Sequence, residues 1–196
     1  MPYTKAVIID PYFDKPSWIV NDVFTTEYMI LSSASSSHEV ELFLTHLFGY
    51  NHINVEQSLS ESYNELFEQE QVALSGGIAF FDDEHRVILP SCCCGLEDLI
   101  DVKDSVTNRQ SPWLGHDPSP GITYASDQAL VWPDDPESYI KSDVITFLYA
   151  ELIDQLELTK IELQAFIDGP LYNWIDKENR EVAHMMKDKM KIWFLE

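Results

Sequence analysis

The sequence predicts an α+β fold: a mainly antiparallel central sheet covered by helices, with a helical C-terminal third. Three observations predict it. Short apolar runs at residues 78–81 with 87–89, and at 122–124 with 129–132, are each joined by a polar turn, as in antiparallel hairpins. Two Ser-x-x-Glu pairs open apolar runs of helical spacing. From about residue 141, apolar residues recur at helical intervals almost to the end. Helices near both ends of a strand-rich centre indicate α+β rather than an alternating α/β arrangement.

Taken in order, Ala6-Val7-Ile8-Ile9 reads as a buried strand ended by Asp10-Pro11. Residues 18–31, rich in β-branched and aromatic side chains, predict one or two strands. The serine-rich residues 32–37 form a loop too short to separate domains. Ser36 with Glu39 caps a helix carrying Val40, Phe43, Leu44, Leu47 and Phe48 up to Gly49. Ser58 with Glu61 caps a second, with Leu59, Tyr63, Leu66 and Phe67 on one face. Its other face holds Glu61, Glu65 and Glu68, with Glu70 beside them and no lysine to pair them, so burial has to offset the repulsion. Gly76 and Gly77 precede the first hairpin, whose turn is Asp82-Asp83-Glu84-His85.

Residues 96–106 predict a short acidic helix, and three prolines with a glycine in residues 111–120 predict a loop. The second hairpin closes at Pro133-Asp134-Asp135-Pro136. A helix is expected from Ser142, with Ile145, Leu148, Leu152 and Leu156 on its face. A third capping pair, Thr159 with Glu162, opens a helix that Gly169-Pro170 stops, and residues 171–194 form the last. Residues 1–196 are expected to make one domain, with both hairpins in the same sheet and residues 141–196 packed on it.

The charge is uneven. There are 34 Asp and Glu against 12 Lys and Arg, net −22, and no Lys or Arg lies between Lys15 and Arg86. Residues 1–140 carry 23 acids and 5 bases, and residues 141–196 carry 11 acids and 7 bases. Such a chain repels phosphate backbones and anionic lipid, so nucleic acid and membranes are not expected as partners. Lys187, Lys189 and Lys191 are expected to serve the negative end of their own helix. A hydrophobic content of 45% is enough for a core, so the acidity does not mean disorder. No apolar run approaches the roughly 18 residues of a membrane span, and no signal peptide opens the chain, which predicts a soluble, unexported protein. The only cysteines are the neighbours Cys92, Cys93 and Cys94, which cannot staple distant segments and suit a reducing cytoplasm.

Those cysteines invite a thiol or metal reading. Structural zinc sites pair cysteines two to four residues apart and add a second pair elsewhere. Cys92 and Cys94 are only two apart; His116 and His85 are distant additions that no spacing demands. A nucleophilic thiolate needs a positive environment, whereas Glu97, Asp98, Asp101 and Asp104 follow closely. The cysteines therefore read as small residues packed at a turn, with no metal and no cofactor. In Trp113-Leu114-Gly115-His116-Asp117-Pro118, the His-Asp neighbours suggest a base with its orienting carboxylate, but consecutive side chains usually diverge. The favoured reading is a rigid loop, Trp113 anchored in the core and Asp117 in a turn before Pro118. The two segments are expected to meet at one end of the sheet. Glu181 and His184 match one half of a carboxylate-bridged metal motif whose second half is absent. Met185, Met186 and Met190 read as core, and His38, His46 and His52 as surface or satisfied core histidines. Phosphate loops, nucleophile elbows, His-Glu-x-x-His and calcium loops are all absent.

Ile88-Leu89-Pro90-Ser91-Cys92-Cys93-Cys94-Gly95-Leu96-Glu97-Asp98, Ser111-Pro112-Trp113-Leu114-Gly115-His116-Asp117-Pro118-Ser119-Pro120 and Val131-Trp132 span about a quarter of the chain. Together they resemble a segment of uncharacterised bacterial proteins, some of which are similar to immunity proteins of toxin-delivery systems. The resemblance implies a bacterial cytoplasmic protein with a binding role and assigns no residue a function. It accords with the charge, because an acidic inhibitor complements a basic toxin. The expected function is an acidic interaction module for a basic protein, through Glu61, Glu65, Glu68, Asp82, Asp83, Glu84, Asp134 and Asp135. The alternative is a small enzyme or metal-binding protein using residues 92–94 and His116. A third reading leaves the charge to solubility alone.

Overall fold

A computed structural model describes residues 1–9, 12–136 and 143–196. Among these, the first sheet is built from β1 (Tyr3–Ile9), β2 (Tyr28–Ile30), β3 (Gly76–Phe81) and β4 (Val87–Ile88), in the antiparallel order β2-β1-β3-β4. A smaller antiparallel sheet holds β5 (Gly121–Ala125), β6 (Gln128–Trp132) and β7 (Ile145–Leu148). Helices α1 (Ser37–Tyr50), α2 (Leu59–Phe67), α3 (Leu99–Thr107), α4 (Tyr149–Phe166), α5 (Tyr172–Asp176) and α6 (Arg180–Phe194) flank them. The α+β class, its central antiparallel sheet and the helical C-terminal region are as the sequence predicts. The expected strand end at Asp10-Pro11 and helix start at Ser142 lie outside the described residues.

β1 alternates between two buried faces. Thr4, Ala6 and Ile8 face the main core with Ile78 and Phe80 of β3, while Val7 and Ile9 join Ala79 and Phe81 in a smaller cluster under Tyr28, Ile30 and Leu89. Helix α4 crosses the core-facing side. The hydroxyls of Thr4 and Thr159 meet at 2.7 Å in the buried contact, and Lys5 pairs with Glu162 at 2.5 Å beside it. One apolar cluster runs from Ala6 through both sheets to Leu195, and the rings of Phe80 and Phe147 join the sheets edge to face.

Both capping boxes at the first two helices form. The Ser36 amide donates to Glu39 at 2.6 Å, and the Ser58 amide donates to Glu61 at 3.1 Å. Helix α1 is buried from Val40 through Phe48, polar members included: Glu41 accepts from Asn21 and Trp174, and His46 lies 3.2 Å from the Ser75 carbonyl.

The second half of the chain departs from expectation in five places. Residues 145–148 form a strand, because their burial alternates with period two: Ile145 and Phe147 lie inside, Thr146 and Leu148 outside. The hairpin at 121–132 pairs with this strand, so the two hairpins occupy separate sheets. Thr159 starts no helix; its hydroxyl donates to Gln155 one turn back while α4 continues. Gly169-Pro170 stops nothing, since a wide π-type turn (Ile167–Leu171) absorbs the proline and leads into α5. The lysines of α6 serve other elements: Lys187 and Lys191 pair with Asp168, and Lys189 donates to the Phe67 carbonyl at the end of α2. Upstream, only residues 28–30 of the expected strand region are strand.

At the far end of the β1–β3 pairing, Gly76 has φ +149, and a Cβ there would lie 2.1 Å from the Val7 carbonyl oxygen. Gly76→Ala combines backbone strain with a backbone clash and should destabilise the protein by about 2–5 kcal/mol. Urea denaturation at constant m-value measures it.

Candidate functional site

The Gly76 end of the first sheet positions the site. Ser75 bridges Gly95, the Leu96 amide donates to the Leu74 carbonyl at 2.9 Å, and β4 returns the chain through Leu89 and Pro90 to the cysteines. Cys92 then bridges His116: the His116 amide donates to the Cys92 carbonyl at 3.2 Å, and the Ser91 amide to the Leu114 carbonyl at 2.8 Å. The Ser91 hydroxyl lies 2.5 Å from the Pro118 carbonyl and 3.1 Å from that of His116, so its single proton clips the second loop from beneath. Gly115, at φ +99, allows this approach, since a Cβ would sit 2.4 Å from the Ser91 hydroxyl and 2.7 Å from the Cys92 carbonyl oxygen. The two segments meet at one end of the sheet, as expected.

What they present differs from the expectation. Cys94 is buried, but Cys92 and Cys93 are exposed, so packing describes only the third cysteine. Trp113 is 57% exposed rather than anchored in the core, and its ring stands edge-on to that of His116 at 5.9 Å. Cys93 has φ +67. In an extended strand neighbouring side chains point to opposite faces; this left-handed residue instead leaves the two sulfurs 3.2 Å apart. Cys93 Sγ lies 3.9 Å from His116 Nε2, and the three donor groups of Cys92, Cys93 and His116 all lie within 4.8 Å of one another. The spacing argument weighed Cys92 with Cys94, whereas the fold joins Cys92 with Cys93. His85, once a possible fourth ligand, sits in the β3–β4 turn at the opposite end of the sheet.

Cys92 and Cys93 stand on the rim of a cavity of about 680 Å³. Ile9, Leu89, Pro118 and Pro133 supply apolar wall, and Glu27 and Asp117 supply carboxylates. Neither the Cys92 nor the Cys94 thiol is activated. The Cys93 thiol, burial and the Asp117 charge raise Cys92, and burial with Asp98 and Glu97 pushes Cys94 up to about 12. Burial, followed by Glu97 and the two cysteines, also raises the Tyr50 phenol at the cavity wall.

The eight expected acidic residues do not share one face. Asp82 is buried: burial alone would raise its carboxyl, but the Arg86 and Glu84 amides and the Arg86 guanidinium hold it below the usual range. It shapes the turn, while Asp83 meets the N-terminal amine and Glu84 the Arg86 guanidinium. Asp134 lies toward the other end of the sheet, accepting from the Ser119 and Asp135 amides beside the cavity. On α2, Glu61 caps the helix, Glu65 accepts from Asn54 and Gln57, and Glu68 is exposed. At α6, His184 lies 3.2 Å from the Tyr172 hydroxyl, Met186 and Met190 are core, and Met185 is exposed.

Sequence reading missed residues 12–27, an irregular segment between β1 and β2. Trp18 packs on Phe48, Tyr63 and Trp174, Ile19 is buried, and Phe13 lies across Gly49. Against these anchors, Tyr12, Val20 and Phe24 project outward, with Val20 89% and Phe24 79% exposed. With Phe13, whose ring rests over Gly49, four large apolar side chains of this segment are exposed.

No protein-family model, curated protein or solved structure matches this chain. Among the described residues, no helix is long and apolar enough to cross a membrane.

In the folded protein, iodoacetamide should alkylate Cys92 and Cys93 and spare Cys94 until the chain is unfolded. Because Cys92 is raised, its rate should climb over a higher pH range than that of an unperturbed thiol, whose pKa is about 8.5. Peptide mass spectrometry against pH reads both outcomes.

Proposed function

We propose that this chain is an acidic binding module for a basic protein, docking through residues 12–27 and the adjoining cavity. The observation that carries it is the anchored segment itself. Val20 and Phe24 are held out into solvent by a backbone pinned at Phe13, Trp18 and Ile19, with Asp14, Asp22 and Glu27 exposed among them. Exposed apolar anchors ringed by charge are the composition of a protein-binding face. Pinning them beforehand lowers the entropy lost on association. Lys15, the one base in this segment, donates to the Val20 and Asn21 carbonyls within it. Elsewhere Lys5, Arg86, Lys103, Arg180, Lys187 and Lys191 are paired with acids of the same chain. That leaves the excess of negative charge to a partner.

Glu27 belongs to both the segment and the cavity, whose apolar walls and carboxylates suit the stem and head of an inserted Lys or Arg. The raised Cys92 and Cys94 thiols are not poised as nucleophiles. The resemblance of residues 88–132 supports an immunity-type inhibitor of a basic toxin, acting in a bacterial cytoplasm.

A photoreactive side chain at position 20 should capture a basic protein, not nucleic acid, from the native cytoplasm. With the isolated partner, association should slow as salt rises, because exposed charges are screened beyond about 8 Å at physiological ionic strength. The D22K/E27K variant should slow it further, while Phe24→Ala should speed dissociation by about tenfold or more. A partner that bound both variants as it binds the wild type would overturn this reading.

A further inference from the structure

We propose that Cys92, Cys93 and His116 form a binding site for a single thiophilic d10 metal ion, Zn2+ or Cu+, with its remaining coordination position open to the cavity. This reverses the expectation drawn from spacing and goes beyond the docking function. The chemistry of the donors is specific: two thiols and an imidazole suit soft or borderline ions and not Mg2+ or Ca2+. Their geometry is close to that of a formed site. Bonds of about 2.3 Å to sulfur and 2.0–2.1 Å to nitrogen separate tetrahedral ligands by roughly 3.5–3.8 Å. Here the sulfurs are 3.2 Å apart and Cys93 Sγ lies 3.9 Å from His116 Nε2, so small side-chain rotations complete the set.

The backbone supports the arrangement independently. The left-handed Cys93 brings adjacent sulfurs to one side, the Cys92–His116 bridge holds the His116 backbone beside them, and Gly115 over Ser91 leaves that loop no slack. All three donors are exposed, and Cys92 and Cys93 line a cavity that also holds the Asp117 carboxylate, so an ion has access and a favourable field. On coordination each thiol releases its proton to solvent as the sulfur–metal bond forms.

The test uses the full-length reduced protein under anaerobic conditions. Zn2+ is titrated against a chromophoric chelator, Cu+ against a copper(I) chelator, and Co2+ serves as the spectroscopic probe. One ion per chain and a thiolate-to-cobalt charge-transfer band are expected. C92S and C93S should each weaken binding by more than the roughly 10–100-fold typical of partners outside the coordination shell, and H116A by at least that range. C94A and H184A should bind as wild type, with circular dichroism confirming that every variant is folded. Absence of stoichiometric uptake of both Zn2+ and Cu+, or uptake that survives in C92S/C93S, overturns the site. Salt-dependent binding of a basic protein by C92S/C93S would separate failure here from failure of the docking function.

Discussion

The pairing of β1 with β3 is the interaction on which the rest of the structure depends. β1 is covered on both faces and bonded on both edges, and its Val7 and Ile8 have no exposed surface. Its approach to β3 is so close at Gly76 that a side chain has no room. That register carries Ser75 and Cys94 to the end of the sheet, where Ser75 bridges Gly95 and the Gly76 amide donates to the Cys94 carbonyl at 3.3 Å. Cys92, His116 and the cavity wall are therefore extensions of one strand pairing. α4 locks the same strand from its core side through Thr4 and Thr159.

A net charge of −22 works against compaction. The fold manages it by using several acids locally and several lysines over distance. Glu39 and Glu61 satisfy helix amides, and Asp82 and Asp134 satisfy turn amides. Lys103 reaches from α3 to Glu157 on α4, and Lys187 and Lys191 tie α6 to Asp168. Exposed pairs of this kind contribute little each, about 0–1 kcal/mol. Stability rests on the apolar cluster that runs through both sheets. The surplus acids then remain outside as a field that would steer the proposed basic partner more than it stabilises the fold.

Glu27 of the proposed docking segment lines the same cavity as Cys92, Cys93 and Asp117. An ion held there would place positive charge where the proposed partner brings its own. Metal and partner would then oppose each other at this cavity through like charge, a coupling that acts equally in both directions.

How much was legible depended on how local the information was. Both capping boxes, both hairpins and the break at Gly76 are written in residues a few positions apart, so the sequence alone determined the α+β class, the first two helices and the acidic surface. It also placed the cysteine segment beside the Trp113 loop, since each adjoins a strand. Other features needed tertiary contacts. Ile145 and Leu148 suit a helix by spacing, yet the open edge of β6 claims them as a strand. Gly169-Pro170 signals a stop, yet the helix passes through it by widening one turn. Residues 12–27 carry no periodicity, and it is tertiary contacts of Phe13, Trp18 and Ile19 that pin the segment while Phe24 stays exposed. Above all, Cys92, Cys93 and His116 meet only because Cys93 adopts a left-handed backbone and two loops bridge across Gly115. Such geometry is imposed by neighbours distant in the chain, and spacing along the sequence cannot contain it.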